Sequence, residues 1–299
     1  MNEFDAIVVG SGVSGGWAAK ELCEKGLKTL VLERGRMVKH IEDYPTMNLD
    51  PWDMKHGGAT PKKTMSRYNK QKRWGFNETT RHFFNDDSEH DYDEVKPFDW
   101  IRGKQVGGRS LIWGRQTYRW SDLDFEANAK DGIGIDWPIR YKDIKPWYEY
   151  VEKHIGVSGE SLGLSYLPDS VFLKPMELTC VEEHLKKSIS ENYKDRLLTI
   201  GRVAHITEGT KPGAGRVNCQ FRNRCSRGCP YGAYYSSVSS TLPMAEATGN
   251  MTLRANSIVS EILYDKKTKK ASGVKIVDTI SKETIEYKSI LSAISIKNC

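Results

Sequence analysis

The sequence predicts an α/β fold built on a parallel sheet, and two stretches carry that expectation. At the N-terminus, residues 4–9 (FDAIVV) form a continuous apolar strand, residues 10–16 a small-residue turn, and residues 28–33 (KTLVLE) a second buried strand beyond an amphipathic helix. Two buried strands joined through a helix in about thirty residues pair in parallel, because a crossover and not a hairpin connects them. Near the other end, residues 252–264, 271–278 and 284–288 read as three strands joined by polar turns (DKKTKKAS and TISK).

Between these stretches the pattern is uneven. The first helix carries Trp17, Ala18, Ala19, Leu22 and Cys23 on or near one face, and Gly26 stands where a C-terminal cap belongs. Residues 36–98 are polar, aromatic-rich and weakly periodic, and are expected to form a long irregular excursion, an inserted lid, ordered by its many rings. Residues 100–120 bring a second glycine turn. A helix is expected over 144–155, with Asp143 as N-cap, Pro146 in the first turn and Ile144, Trp147, Tyr148, Val151 and Ile155 as its apolar face. Another is expected over 181–193, followed by a Gly-, Arg- and Asn-rich loop at 213–232.

Composition narrows the function classes. Forty-five Lys and Arg against 39 Asp and Glu leave a net charge of +6, dispersed along the chain, so no nucleic-acid surface is required. No run approaches the roughly 20 apolar residues of a membrane helix. Met1-Asn2-Glu3-Phe4-Asp5 runs directly into a strand without a basic and then apolar leader, so a cytoplasmic location is expected, with export on a partner subunit still open. Of six cysteines, three crowd into residues 219–229, which suggests metal or redox chemistry more than a disulfide framework.

Gly10-x-Gly12-x-x-Gly15, set between strand and helix, is a Rossmann-like dinucleotide signature. Gly10 permits the tight turn, Gly12 lets backbone approach a pyrophosphate, and Gly15 lets helix and strand pack closely. The helix N-terminus offers open N–H groups to phosphate. Glu33, ending the second strand, can accept hydrogen bonds from ribose hydroxyls and disfavours a 2′-phosphate. The motif does not separate FAD from NAD, but its place at the extreme N-terminus and the Glu33-Arg34-Gly35 ending favour FAD.

The segment from Arg102 to Trp113 (RGKQVGGRSLIW) adds adjacent glycines, Gly107 and Gly108, that let backbone press against a planar ring, together with the Ser110 hydroxyl and the Trp113 face. With the first motif, Asp136-Trp137-Pro138-Ile139, Gly228-Cys229-Pro230-Tyr231-Gly232-Ala233 and Ile258-Val259, the chain resembles the glucose–methanol–choline (GMC) oxidoreductases over almost its whole length. Within them it is most similar to the bacterial branch of gluconate, fructose and FAD-glucose dehydrogenase large subunits, with pyranose oxidases nearby. The resemblance implies an FAD-binding domain with an inserted lid and the start of a substrate domain. It divides residues 1–299 into a βαβ nucleotide motif (1–35), a lid (36–98), a flavin-contacting loop with helices (99–180), a cysteine-loop region (181–250) and strands returning to the FAD domain (251–290). It also implies that Val106, Gly107, Gly108, Ser110 and Trp113 run along the flavin and that backbone at Val259 holds adenine. The pyranose-oxidase pattern has a linking His before the Trp. Here that residue is Ile112, so non-covalent FAD is expected.

Cys219, Cys225 and Cys229, followed by Pro230, suit soft-ligand iron. Inert thiols, a disulfide or zinc remain open on the residues alone. The resemblance implies a [3Fe-4S] cluster relaying electrons to a cytochrome subunit, with Arg216, Arg222, Arg224 and Arg227 offsetting its charge. Cys23 and Cys180 read as small packing residues.

The implied reaction is oxidation of a sugar or polyol CH–OH group, with hydride passing to flavin N5. The family's catalytic His lies in C-terminal sequence that this chain lacks, and its seven histidines (His40, His56, His82, His90, His154, His184 and His205) match no such position, so the catalytic base is unknown. The tail Ala293 to Cys299 does not look like the family's next strand and reads as a truncated or frame-shifted end. Two other classes stay open. One is an NAD(P)H-linked flavoprotein, whose redox CxxC pair and second GxGxxG are missing here. The other is a non-catalytic fragment.

Overall fold

The computed structural model describes residues 3–73, 75–89 and 92–296. The chain divides into two units, one of Met1–Trp113, Arg222–Gly232 and Ser236–Cys299, the other of Gly114–Phe221 and Ala233–Tyr235.

In the first unit the chain forms β1 (Glu3–Val9), α1 (Val13–Glu24), β2 (Thr29–Leu32), α2 (Thr241–Ala247), β3 (Met251–Arg254), β4 (Ser257–Asp265), β5 (Lys270–Asp278) and β6 (Thr284–Ile296). The strands make one six-stranded sheet in the order β3-β2-β1-β6-β5-β4. The first four are parallel, and β6, β5 and β4 pair antiparallel. The mixed α/β fold with a parallel core is therefore as the sequence predicts. Strand alternation sends Ile7, Leu30 and Leu32 to one face, against Val274, Ile276 and Tyr287. Val8 and Val31 point to the other, against Ala19 and Cys23 of α1 and Ala245 of α2. Cys23 is thus a packing residue, 1% exposed. At Gly16 a Cβ would lie 2.5 Å from Thr241 Oγ1, so the approach of α1 to α2 requires glycine there.

The described residues of the 36–98 excursion are irregular, as expected. The excursion contains short helical turns, such as Lys62–Met65 and Arg81–Phe83. Its rings stack, with Tyr68 on Phe76 at 4.5 Å, and Phe76, Phe83 and Phe84 share a core with Val106, Leu111 and Ile112.

Three expectations need correction. The expected strand 252–264 is two strands, β3 and β4, because Asn256 adopts φ +55° and donates its N–H to Gly35 O at 2.8 Å. β3 then pairs with β2, and β4 leaves for the opposite edge of the sheet. The strand expected over 284–288 continues through Ile296: Thr284–Lys288 pair with β5, and Lys288–Ile296 pair in parallel with β1. Ala293 to Ile296 therefore form a strand beside β1, where none was expected, while Cys299 lies outside the described residues. The helix expected over 144–155 begins a turn earlier, at Tyr141, with Arg140 as N-cap. Asp143 is its third residue and accepts the Arg140 N–H at 2.8 Å. Helix α2 escaped prediction because its seven residues are too few to show a period.

The second unit carries helix Tyr141–Ile155 and helix Cys180–Asn192, the latter capped by Thr179. Cys180 is exposed at its start and does not pack as the sequence suggested. Buried cations organise the interior. Arg119 Nε donates to Glu152 Oε1 at 2.8 Å with both side chains 2% exposed, Arg202 pairs with Asp169 at 2.8 Å, and Arg216 donates to Ile155 O at 2.7 Å. Among the described residues no helix is long and apolar enough to cross a membrane.

Removing one partner of a buried ion pair strands the other. Glu152→Leu leaves Arg119 without its carboxylate and should lower stability by about 3–5 kcal/mol, read as a fall in the urea midpoint. Acid sensitivity is also expected. Burial pushes His82 and His205 from 6.5 down to about 4, reinforced by Arg36 beside His82 and Arg115 beside His205. The unfolded chain takes up these protons near pH 6.5 and the folded chain only near 4, so stability is full above about 6.5 and is lost as pH falls toward 4. Thermal midpoints across that window should drop, and His205→Gln should flatten part of the slope. A flat profile in the parent protein would contradict this account.

Candidate dinucleotide site

The C-terminal ends of β1 and β2, the N-cap of α1, residues 100–109 and the start of β4 surround a cavity of about 270 Å³. Ligands of parallel sheets bind where strand ends and helix starts converge. Gly10 makes the turn out of β1 at φ +93°, a conformation that favours glycine. Gly12 is the N-cap of α1 and has no side chain to occupy the helix's first N–H groups. A Cβ on Gly15 would lie 1.8 Å from Gly10 O, so helix and turn touch there.

Glu33 directly follows β2 and is 6% exposed. One carboxylate oxygen accepts from the Ser11 N–H at 3.1 Å and the Ser11 hydroxyl at 2.7 Å, and the other accepts from the Gly35 N–H at 3.0 Å. The Ser11 hydroxyl in turn accepts the Gly107 N–H at 3.1 Å. The two glycine turns, distant in sequence, are thereby tied to one carboxylate. Sequence reasoning missed Ser11; its signal was a small hydroxyl between two motif glycines. The break between β3 and β4 closes the same corner, with Glu33 N–H donating to Arg254 O at 2.9 Å and Ser257 N–H to Glu33 O at 2.8 Å.

The second turn approaches without side chains. Gly107 has φ +89°, and a Cβ on Gly108 would lie 3.4 Å from Gly12 Cα. A Cβ on Gly35 would lie 1.8 Å from Lys104 O. Arg34, Arg102, Lys104 and Arg109 bring positive charge to the lining. Arg102 lies over the rings of Trp100, at 4.6 Å, and Tyr92, at 4.9 Å.

Of the residues singled out in the sequence, Gly10, Gly12, Glu33, Arg34, Gly108 and Val259 line this cavity. Gly15, Val106, Gly107 and Ser110 lie behind the lining and shape it. Val106 is 1% exposed in the aromatic core, and the Ser110 hydroxyl donates to Gly107 O at 2.6 Å while accepting from Ser237 N–H at 3.0 Å. Ser110 thus holds the turn instead of presenting its hydroxyl to the cavity. Trp113 is half-buried and outside the lining. Ile112, 6% exposed, packs in the aromatic core.

The three cysteines expected to hold iron are divided between the two units. Among the described residues no three His, Cys, Asp or Glu side chains are placed to hold a metal ion. Among the described residues Cys219, Cys225 and Cys229 form no disulfide. Cys219 belongs to the second unit and donates its N–H to Ile206 O at 2.8 Å, whereas Cys225 and Cys229 belong to the first. The arginines expected to offset a cluster's charge are committed elsewhere. Arg222 donates to Asn48 Oδ1 at 2.8 Å, Arg224 pairs with Asp50, Arg227 donates to Leu49 O at 2.7 Å, and Arg216 serves the second unit's interior. His90 lies outside the described residues.

The family model for GMC oxidoreductases matches residues 4–298. The chain is 25% identical over 284 residues to the fructose dehydrogenase large subunit of Gluconobacter japonicus, covering 89% of this chain and 47% of that protein. It is 26% identical to the gluconate 2-dehydrogenase flavoprotein of Pantoea cypripedii, covering 100% of this chain and 52% of that one. It is 25% identical to the 2-methyl-1,2-propanediol dehydrogenase of Mycolicibacterium austroafricanum, over 93% and 46% respectively. The chain thus spans about half the length of these relatives. A structure of Aspergillus oryzae RIB40 formate oxidase superposes with a TM-score of 0.50 at 15% identity, covering 97% of this chain and 44% of that one, and shares the fold. With the family's pattern matched from the first strand to the last, this chain belongs to the GMC oxidoreductases.

Proposed function

We propose that the chain is the FAD-binding portion of an oxidoreductase acting on a CH–OH group of a sugar, polyol or related alcohol. The observation that carries this reading is the cavity at the β1 and β2 ends, where an open helix N-terminus, two glycine turns and a buried carboxylate converge. Its chemistry fits FAD. Gly12 and the first N–H groups of α1 suit the pyrophosphate, with Arg102, Lys104 and Arg109 balancing its charge. Glu33 would take the ribose hydroxyls on lone pairs that Ser11 and Gly35 leave, and its charge opposes a 2′-phosphate. Backbone at Val259 would meet adenine, and Gly107 and Gly108 would bring backbone along the ring system. Ile112 offers no nucleophile, which supports non-covalent retention. Bound FAD supplies the hydride acceptor.

The names of the relatives support the substrate class, because fructose, gluconate and 2-methyl-1,2-propanediol each carry CH–OH or CH₂–OH groups. The large-subunit name of one relative supports a partner protein, and we propose a protein or quinone as electron acceptor. The catalytic base is not assigned to any residue of this chain.

Purified protein should be yellow and release FAD, not FMN, on denaturation. Gly12→Val should abolish retention. Ser11→Ala removes a buried link and should weaken FAD about tenfold or more, the equivalent of one to two buried hydrogen bonds. Protein that stays colourless after incubation with FAD would overturn the reading. A steady-state screen of sugars and polyols with a dye acceptor should show oxidation by the enzyme that contains this chain. Flavin reduced by NADH and by no alcohol would overturn the substrate class.

A further inference from the structure

Residues 254–257 carry the chain from β3 to β4 at a corner where the ends of β2, β3 and β5 also meet. Their backbone is held from two sides. Arg254 O and the Ser257 N–H bond to Glu33, and the Asn256 N–H bonds to Gly35 O. From the other side, the Thr279 N–H, just beyond β5, donates to Asn256 O at 2.8 Å. Ser257, Ile258 and Val259 follow directly and line the dinucleotide cavity.

One side chain spans this corner. Arg254 Nη1 donates to Ser257 Oγ at 3.0 Å, and Arg254 Nη2 donates to Asp278 Oδ2 at 2.7 Å. Ser257 stands opposite Asp278 in the β4–β5 register, so the guanidinium grips both members of the first rung. Both are held in turn. Ser257 Oγ donates to Ala255 O at 3.0 Å, and Asp278 Oδ1 accepts the Ile280 and Ser281 N–H groups at 2.8 and 3.0 Å. The planar fork of a guanidinium suits such a bridge, and an ammonium does not reproduce it. The side chains of Arg254 and Asp278 are 26% and 16% exposed, so water screens this pair less than one on the open surface.

The register explains why the grip matters to the cavity. It runs regularly from Ser257 to Val259 and then shifts between Val259 and Glu261. The cavity-lining part of the ladder is therefore three rungs long, with an irregularity at its far end. A bulge leaves a strand locally free to bend. The position of the Val259 backbone then depends on the near end, which Arg254 clamps without itself lining the cavity.

We propose that Arg254 is a positioning residue for adenine recognition, holding the Ser257–Val259 backbone where it can read the edge of the base. This rests on the reading of the cavity as an FAD site. Adenine presents an amino donor beside a ring-nitrogen acceptor, and a backbone N–H and C=O match that pair only from one position. Hypoxanthine reverses both groups, so the preference between the two bases reports where the backbone stands.

Isothermal titration of the flavin-free chain with FAD and with flavin hypoxanthine dinucleotide tests this. The parent protein should prefer FAD. Arg254→Met, which keeps the aliphatic stem, should weaken FAD about tenfold, the loss of one charge-assisted hydrogen bond, and should narrow the preference between the two dinucleotides. Ser257→Ala should narrow it too, and keeps the test decisive if Arg254→Met fails to fold. In the Arg254→Met background Ser257→Ala should change little, because the bond they share is already gone. A parent that binds both dinucleotides equally, variants that weaken both by one factor, or fully additive effects would overturn the proposal and leave the FAD site standing. A parent that binds neither would overturn the FAD reading and this proposal with it.

Discussion

A carboxylate shielded from water demands donors, and around Glu33 the donors determine the architecture. A buried anion of this kind is tolerated only when hydrogen bonds replace its lost hydration. Ser11 supplies two and Gly35 supplies one. Ser11 can do so only if the chain turns sharply at Gly10, and its hydroxyl oxygen is then placed to take the Gly107 N–H. Each requirement leads to the next, from the end of β2 to the first glycine turn and from there to the second. The glycines provide room for the approach, and the carboxylate supplies the reason for it.

The parallel half of the sheet was legible because its strands are short, apolar and punctuated by glycine. FDAIVV and KTLVLE lie where their patterns place them, within a residue at each end. What the pattern concealed was long-range. Residues 252–264 read as one strand, since a single left-handed Asn256 leaves no mark on the pattern. Only the Gly35 carbonyl that accepts its N–H explains the break. Beyond residue 288 the strand's partner is β1, nearly the full sequence away, and no local pattern marks such a pairing.

The candidate site divides the same way. Gly10, Gly12 and Glu33 are read from spacing, since each does a job fixed by local geometry. Ser11 and Trp100 could not be read so, because their importance comes from partners far along the chain: Gly107 for the first, Arg102 and the cavity for the second. For the cysteines, spacing is all that the sequence offers. Spacing along a loop says how near three thiols could come. It does not say what else the loop is fastened to, and here Arg222, Arg224 and Arg227 fasten it to residues 47–50.

The pairing of β6 with β1 has a consequence for how the chain is made. On one side β1 finds its neighbour early, with Ala6 opposite Thr29. On the other, Glu3 lies opposite Lys288, nearly the full sequence away. A ribosome-bound chain therefore emerges with one flank of its first strand complete and the other open until synthesis reaches β6. Open strand edges recruit foreign strands, and contacts of such high sequence separation form slowly. Expression at reduced growth rate, or with additional chaperone capacity, suits a chain whose central strand must wait so long for its second neighbour.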